Sequence, residues 1–272
     1  MIIPLNIKSE NTYYKIFEAV KIAFTKLSSN TQNTKGRPLK YSDQQIVCCM
    51  LYGVKNSIFS LRELEYRIKQ DHVFKSIIQI NEVPDYSTFS LRAKDLEKHI
   101  YYGLYAMLIE LVDPETRLCA IDGTALRSSK YDSEAKSGKG TRLGYFKGYK
   151  LHCIATVSDT IIPLVFDLTT ANVYDNQLSD LLYEAKIYNP FLILADAAYD
   201  SVEWFEIASD LKFNLLTDIN MRKAKSIESF AVKRYENALF MQSPIGLKLY
   251  KNRLKIEQLF SVLKGLHNLE NP

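Results

Sequence analysis

Apolar positions in the first part of the chain recur every three to four residues, the spacing of an amphipathic helix. One helix is predicted over 13–26, and the polar stretch 31–42, which contains Gly36 and Pro38, predicts a linker or arm. Ser42 followed by Gln45 forms a capping box that opens the next helix.

Similar signals continue to the middle of the chain. Ser60 followed by Glu63 predicts a second capping box, and one long helix is expected over 87–112. Residues from about 40 to 113 are therefore predicted to be all-helical, with Pro114 closing the region.

After residue 116 the pattern changes to short runs rich in β-forming residues. Strands are predicted at RLCAID, LHCIATVSD, IIPLVFDLT, FLILAD and FNLLTDI, and the second and third of these form a hairpin around Asp159. Helices are predicted over 176–188, 201–211 and 247–266. This alternation predicts an α/β fold around one mixed sheet.

Two of the predicted strands end in an aspartate followed by small residues. Asp122 follows Ala120-Ile121, and Asp196 follows Leu194-Ala195. Ligands bind at the carboxyl ends of strands in open α/β sheets, and carboxylates there suit a divalent ion. For either aspartate alone, the plainer alternative is that it caps its strand or the next turn.

The last predicted helix carries a polar stripe beside an apolar one. At about 100° per residue, four polar side chains fall within about 60° of one another; they are Tyr250, Arg253, Glu257 and Lys264. Five apolar side chains lie about 100° away and are expected to face a core; they are Leu249, Ile256, Leu259, Leu263 and Leu266. Periodicity alone leaves a solvated charged face as the alternative.

Composition adds few constraints. The net charge of +4 is compatible with nucleic acid as a partner. The N-terminus lacks the features of a signal peptide, and no apolar run approaches the roughly 18–20 residues that cross a bilayer, so we expect a cytoplasmic, nucleoid-associated protein without membrane contact. The four cysteines form no CxxC pair, which favours buried thiols over a zinc site.

The spacing Tyr250-x2-Arg253-x3-Glu257-x6-Lys264 resembles the Tyr-Arg-Glu-Lys signature of insertion-sequence DDE transposases, the IS-four and IS-five groups. The blocks AIDGT and LADAAYDS, and the stretch between them, are also similar to that family. The short interval between Asp196 and Glu257 matches the compact, IS-five-like form. The resemblance covers about 35–266 and implies an RNase H-like mixed sheet with flanking helices, preceded by an all-helical N-terminal domain.

The resemblance also implies a chemistry. Asp122, Asp196 and Glu257 would be the catalytic residues and would bind two ions, Mg²⁺ or Mn²⁺. Tyr250, Arg253 and Lys264 would contact DNA near the cleaved end. The enzyme would cut double-stranded DNA at terminal inverted repeats and join the ends to target DNA, as a homodimer. Other acids remain alternatives to these three; they are Asp132, Asp159, Asp167, Asp175 and Asp200.

Two further expectations concern the rest of the chain. The basic, glycine-rich segment 136–150 is a possible DNA-tracking loop in which Lys147 and Lys150 face phosphates, or else a solvated loop. Domains are predicted over 1–115, for DNA binding or dimerisation, and 116–272, for catalysis. Because the sequence ends eight residues after Lys264, a shortened or inactive DNA-binding repressor is the alternative function.

Overall fold

The computed structural model describes residues 11–28, 39–99, 101–140, 144–222 and 224–270, without the side chains of 97–102. Most of the predicted linker, residues 31–38, lies outside these ranges. The chain divides into two compact units, Met1–Asp113 and Pro114–Pro272, and each is described by itself below.

Helices are the regular secondary structure of the first unit in its described part. Its helices are α1 (Thr12–Ser28), α2 (Asp43–Lys55), α3 (Leu61–Gln70), α4 (His72–Ile77), α5 (Tyr86–His99) and α6 (Tyr101–Val112). Apolar side chains from α1 to α5 form one buried core, with Ile46, Ile68 and Phe89 fully inaccessible to solvent. The helix expected over 87–112 is thus described as two, with residue 100 outside the described ranges.

Both hydrogen bonds of the first predicted capping box are present, but only one of the two is present in the second. At α2 the Ser42 hydroxyl accepts from the Gln45 backbone N–H at 3.2 Å, and the Gln45 side chain accepts from the Ser42 N–H at 3.0 Å. At α3 the Ser60 hydroxyl accepts from the Glu63 N–H at 3.4 Å, but the Glu63 carboxylate pairs with Arg67 at 3.3 Å. An i,i+4 ion pair on the helix surface therefore replaces the second half of that box.

The second unit is built on one mixed six-stranded sheet. Its strands are β1 (Leu118–Arg127), β2 (Lys136–Gly140), β3 (Gly144–Thr156), β4 (Pro163–Thr170), β5 (Leu192–Ala195) and β6 (Asn214–Thr217). β3 pairs antiparallel with β1, β2 and β4, whereas β5 and β6 run parallel to β1. The order is β2-β3-β1-β5-β6, and β4 also pairs with β3. Apart from β2, the order β4-β3-β1-β5-β6 with these directions is that of an RNase H-like sheet, as the resemblance implies.

Helices connect and cover these strands. They are α7 (Asp180–Ala185), α8 (Val202–Asp210), α9 (Val232–Gln242), α10 (Pro244–Tyr250) and α11 (Leu254–Gly265). Ile256, Leu259 and Phe260 of α11 are buried against the strands in a core that includes Ala120 and Leu194. This packing places the polar residues of α11 near the ends of β1 and β5.

Three details of the second unit differ from the sequence prediction. β1 does not end at Asp122 but continues to Arg127, because its pairing with β3 extends to Arg127↔Gly148. The segment 136–150, a possible loop from its sequence, instead forms strand β2 over 136–140 and the first half of β3 over 144–150, and residues 141–143 lie outside the described ranges. The helix predicted over 247–266 is interrupted by a 3-10 turn at Lys251–Arg253.

The remaining core predictions concern single residues. Trp204 is fully buried and donates its indole N–H to the Asn176 carbonyl at 2.8 Å, as expected of a core residue. The four cysteines are buried free thiols. Leu266, predicted on the apolar face, is instead 70% exposed because it lies just beyond the end of α11. None of the described helices combines the length and the apolar character that crossing a membrane requires.

Candidate active site

Two aspartates lie at corresponding places on neighbouring parallel strands, Asp122 within β1 and Asp196 directly after the end of β5. The β1–β5 register pairs Leu118 with Leu192 and Ala120 with Leu194. Continued by two residues, the same register sets Asp122 opposite Asp196, with both side chains on one face because side chains alternate along a strand. The Asp196 carboxylate also accepts from the Ala198 N–H at 2.8 Å, which fixes the turn after β5.

The third acid, Glu257, is linked to Asp122 by Arg253. Arg253 donates to the Asp122 carboxylate at 3.1 Å through one guanidinium nitrogen and to the Glu257 carboxylate at 3.2 Å through the other. Glu257 stands in the first turn of α11, where the helix dipole favours a negative charge. The side chains of Asp122 and Arg253 are largely buried, whereas that of Glu257 is 47% exposed.

The other two signature residues are bound to the backbone of the same strands. The Tyr250 hydroxyl donates to the Ala195 carbonyl at 3.1 Å, one residue before Asp196. The Lys264 ammonium donates to the Ala125 carbonyl on β1. Three of the four polar residues of the predicted stripe thus contact β1 or β5, and Glu257 contacts one of those three, Arg253, which excludes a fully solvated face.

The electrostatics of the site reflect crowded negative charge. The pKa of Asp122 is raised from 3.8 to about 6, first by burial and then by the nearby Asp196 and Glu257, while the Gly123 N–H and Arg253 act to lower it. Burial also raises the pKa of Asp196, and Arg253 opposes that shift. Arg253 is therefore the positive charge that compensates the acids in this structure.

A second polar group lies beside Gly123, the residue that follows Asp122. Lys150 donates to the Asp175 carboxylate at 3.2 Å and to the Val173 carbonyl at 3.0 Å. The fully buried ring of His152 has its Nδ1 3.7 Å from the same carboxylate. A Cβ atom added at Gly123 would lie 3.0 Å from that Nδ1, so the glycine lets the ring pack against the strand.

This neighbourhood bears on the predicted site residues. Asp175 is one of the alternative acids named from the sequence. It lies far from Asp122 in the sequence, and the turn at Asp175–Gln177 and the ion pair with Lys150 bring it beside β1. Lys150 is 14% exposed and held by Asp175, a position that favours a structural role over phosphate contact, which stays a prediction. Lys147 lies at the surface of β3 and donates to the Lys130 carbonyl at 2.9 Å.

Another alternative acid, Asp200, has a clear structural role. It is 1% exposed, and Arg234 binds both its oxygens at 2.7 and 2.8 Å. It also accepts from the Asn220 N–H at 2.7 Å. Asp200 therefore joins the segments that follow β5 and β6 and is fully engaged there.

The donor set suits a divalent cation, although the present arrangement is closed by Arg253. Among the described residues, no group of three or more His, Cys, Asp or Glu side chains is placed to hold a metal ion as it stands. The acids nevertheless provide hard oxygen ligands. Burial and the neighbouring negative charges raise the pKa of Asp122, and a bound cation would stabilise its ionised form. The residues present thus fit a Mg²⁺-type ion.

Comparison with known proteins identifies two matching families. Residues 113–271 match the family described as a transposase DDE domain, and residues 6–95 match a family described as a transposase domain (DUF772). The comparison with curated protein sequences gives no significant match.

Two solved structures show a distant likeness. The piggyBac transposase synaptic complex with hairpin DNA aligns over 80% of this chain at 12% identity and a TM-score of 0.39, and the chain covers 52% of that protein, about half its length. A pre-cleavage Mos1 transpososome aligns over 92% of this chain and 86% of its own at 10% identity and a TM-score of 0.25. The family assignment rests on the family models alone.

Proposed function

Because the chain belongs to the transposase DDE domain family, we propose that it is a transposase that cleaves DNA at the ends of an insertion sequence and joins those ends to target DNA. The observation that carries this proposal is that Arg253 bridges Asp122 and Glu257 and acts to lower the pKa of the nearby Asp196, in the unit that the family model covers. The family description alone names a domain, whereas these contacts give the proposal its chemistry.

Asp122, Asp196 and Glu257 would hold the divalent metal that DDE transposases generally use, and we propose two ions, Mg²⁺ or Mn²⁺. When bound, such ions stabilise the charge that develops on the attacking and leaving oxygens of an in-line phosphoryl displacement. Support comes from the largely buried carboxylate of Asp122 on β1, from Asp196 directly after β5, and from Glu257 on α11, whose side chain is 47% exposed and therefore has room to turn towards them.

The basic residues would act on the DNA. With Asp122 and Glu257 neutralised by a cation, Arg253 would exchange its carboxylate partners for a phosphate, to which a guanidinium can donate two hydrogen bonds. Lys264 lies on the same helix and supplies a second positive charge. Tyr250 contributes by holding the Ala195 carbonyl, and therefore the backbone that leads into Asp196.

Two displacements follow, both in line at phosphorus. In the first, water attacks the phosphate at the element's end: the new P–O bond forms, the bond to the 3′ oxygen breaks, and that oxygen leaves as a 3′-OH after gaining a proton. In the second, this 3′-OH loses its proton and attacks a phosphate of target DNA, and a target 3′ oxygen leaves. Neither step needs a covalent bond between protein and DNA.

We further propose the subgroup and the assembly. The positions of Tyr250, Arg253, Glu257 and Lys264 around one site support membership of the IS-four/IS-five group with the Tyr-Arg-Glu-Lys signature. The helical domain, predicted over 1–115, would bind the terminal repeats or form a homodimer that holds both ends. Sedimentation of the protein with and without end DNA tests the dimer.

A strand-transfer assay with pre-cleaved ends tests the proposed function. Wild-type protein with Mg²⁺ or Mn²⁺ should join a labelled 3′-OH end to a target plasmid, and the Asp196→Asn variant should lose the reaction by about a hundred-fold or more, since metal ions contribute several kcal/mol. Cleavage of intact ends without joining would indicate a nuclease. Tight repeat binding with neither reaction would indicate a repressor and overturn the proposal.

A further inference from the structure

A carboxylate lies among the positive groups at the far end of β1. Glu270 accepts from the backbone N–H of Arg127 at 3.1 Å and also from the Arg127 guanidinium through the same oxygen. Its second oxygen lies 3.3 Å from the Lys264 ammonium. The Glu270 side chain is only 11% exposed, whereas that of Arg127 is 52% exposed.

The donors around Glu270 are those that bind phosphate oxygens. A backbone N–H, a guanidinium and an ammonium converge on one anionic group, and protein contacts to DNA phosphates are built from these same donors. Burial alone would raise the pKa of Glu270, but the hydrogen bonds from Arg127 and the charge of Lys264 lower it overall. The place therefore favours a negative charge despite its low exposure to water.

The position of this cluster relates it to the three acids. Lys264 follows Glu257 by seven residues on α11, or about 10 Å of helix. Arg127 lies on β1, the strand that carries Asp122. Phosphates of one DNA strand advance by about 3.4 Å along the helix axis per nucleotide, so a duplex bound at the acids can bring a phosphate a few nucleotides away to this cluster.

We propose that Arg127 and Lys264 form a binding site for a DNA backbone phosphate, which the Glu270 carboxylate occupies in the protein without DNA. The inference rests on the proposed function, because it takes DNA as the substrate, and it adds Arg127 as a contact and Glu270 as an internal competitor. The carboxylate stands in for the phosphate, so both cannot bind Arg127 and Lys264 at once.

Competition of this kind has a measurable consequence. Before DNA can bind here, Glu270 must release two positive groups, and the cost of that release lowers the affinity of the protein for any duplex. Replacing Glu270 by Gln keeps an oxygen that can accept the Arg127 N–H but removes the charge. The variant should therefore bind DNA more tightly without losing its fold.

The test measures binding of a short labelled duplex by fluorescence anisotropy, in EDTA so that no cleavage occurs, over a range of salt concentrations. Glu270→Gln should raise the affinity about two- to five-fold, the range expected for loss of a partly exposed ion pair. Arg127→Gln should weaken binding and reduce the magnitude of the salt slope by about one. Glu203→Gln, an exposed glutamate on α8, gives the effect of the same charge change elsewhere.

A double variant makes the test specific to this site. If Glu270 competes for Arg127, then Glu270→Gln should raise the affinity much less when Arg127 is already Gln. An increase no larger than that of Glu203→Gln, or an equal increase in both backgrounds, would overturn this inference and leave the proposed function intact. Failure of all the proteins to bind duplex DNA would overturn both.

Discussion

Asp122 should make the protein less stable at neutral pH in the absence of metal, because its carboxylate is held where ionisation is unfavourable. Its pKa is raised from 3.8 to about 6 in the folded protein, first by burial and then by neighbouring acids. Between those two pH values the folded state binds more protons than the unfolded state, so the free energy of unfolding falls as the pH rises through this window. Above about pH 6 the loss is complete, and below about pH 4 it is absent.

The size of this effect follows from the displacement of the pKa. A difference of about two pKa units corresponds to about 3 kcal/mol, at about 1.4 kcal/mol for each unit. This figure is the net cost of ionising Asp122 in the folded protein, because the pKa of about 6 already includes the attraction of Arg253. Asp122→Asn removes the charge, so the variant should be more stable than wild type by up to about 3 kcal/mol at pH 7.5, with little difference at pH 4, where Asp122 of the wild type is largely protonated.

Urea unfolding in EDTA at pH 4, 5.5 and 7.5, followed by circular dichroism, measures the difference. Asp159→Asn is the matched control, since Asp159 is exposed in the loop between β3 and β4. A stabilisation by Asp122→Asn that grows with pH, with no such trend for the control, is the expected result. A variant that is less stable than wild type at pH 7.5, or a difference that does not depend on pH, would refute the reasoning.

Three other predictions concern the same unit. Mg²⁺ should raise the melting temperature of wild type through preferential binding to the folded state, and calorimetry should find little or no such rise for Asp122→Asn. Gly123→Ala should cost about 1–3 kcal/mol and reduce DNA cleavage, because its Cβ would lie 3.0 Å from a buried imidazole, whereas Gly265→Ala meets no atom within 4 Å and should unfold in urea like wild type. Arg234→Gln should destabilise the protein by about 3–5 kcal/mol in chemical denaturation, because it leaves the buried Asp200 carboxylate uncompensated; a loss below about 1 kcal/mol would contradict that account.

The order of strands and helices in the second unit could be predicted from the sequence because each element carries its own local signal. FLILAD and FNLLTDI are short apolar runs, and they form β5 and β6. β2 has no such signal, since KSGKG is polar and rich in glycine. It becomes a strand because β3 offers an edge for pairing, and because Gly138 allows an approach to the Ala171 carbonyl that a Cβ atom would block at 1.9 Å.

The interrupted last helix shows another limit of periodicity. Tyr250 and Arg253 have the right spacing for one continuous helix, but Asn252 donates its side-chain amide to the Leu249 carbonyl at 3.1 Å, which competes with the regular helical pattern. A 3-10 helix has three residues per turn, so Arg253 still lies on nearly the same side of the chain as Tyr250, three residues earlier. The predicted polar face therefore survives the break, and this accounts for the meeting of its residues at one site.

The contacts of the basic residues could not be read from the sequence. The spacing indicates that Arg253 and Glu257 share a face, but not that Arg253 bridges Glu257 to Asp122, which lies 131 residues earlier in the chain. Glu270 had no sequence signal as a partner of Arg127 and Lys264 either. Such contacts depend on how α11 packs on the sheet, which is set by the apolar side chains and not by the charged ones.

Metal-dependent nicking of a duplex that carries the element's own terminal repeat, by wild type and by Glu257→Gln, tests the central claim most directly. Gln keeps the size of the side chain but loses the charge that would hold a metal, and Glu203→Gln controls for the loss of a helix-surface glutamate. We predict that wild type and the control cleave the duplex with Mg²⁺ or Mn²⁺. The cleavage rate of Glu257→Gln should be lower than that of wild type by about a hundred-fold or more. Equal cleavage by all three proteins would show that Glu257 is not the third acid, and no cleavage by wild type despite tight binding of the repeat would contradict the assignment as an active transposase.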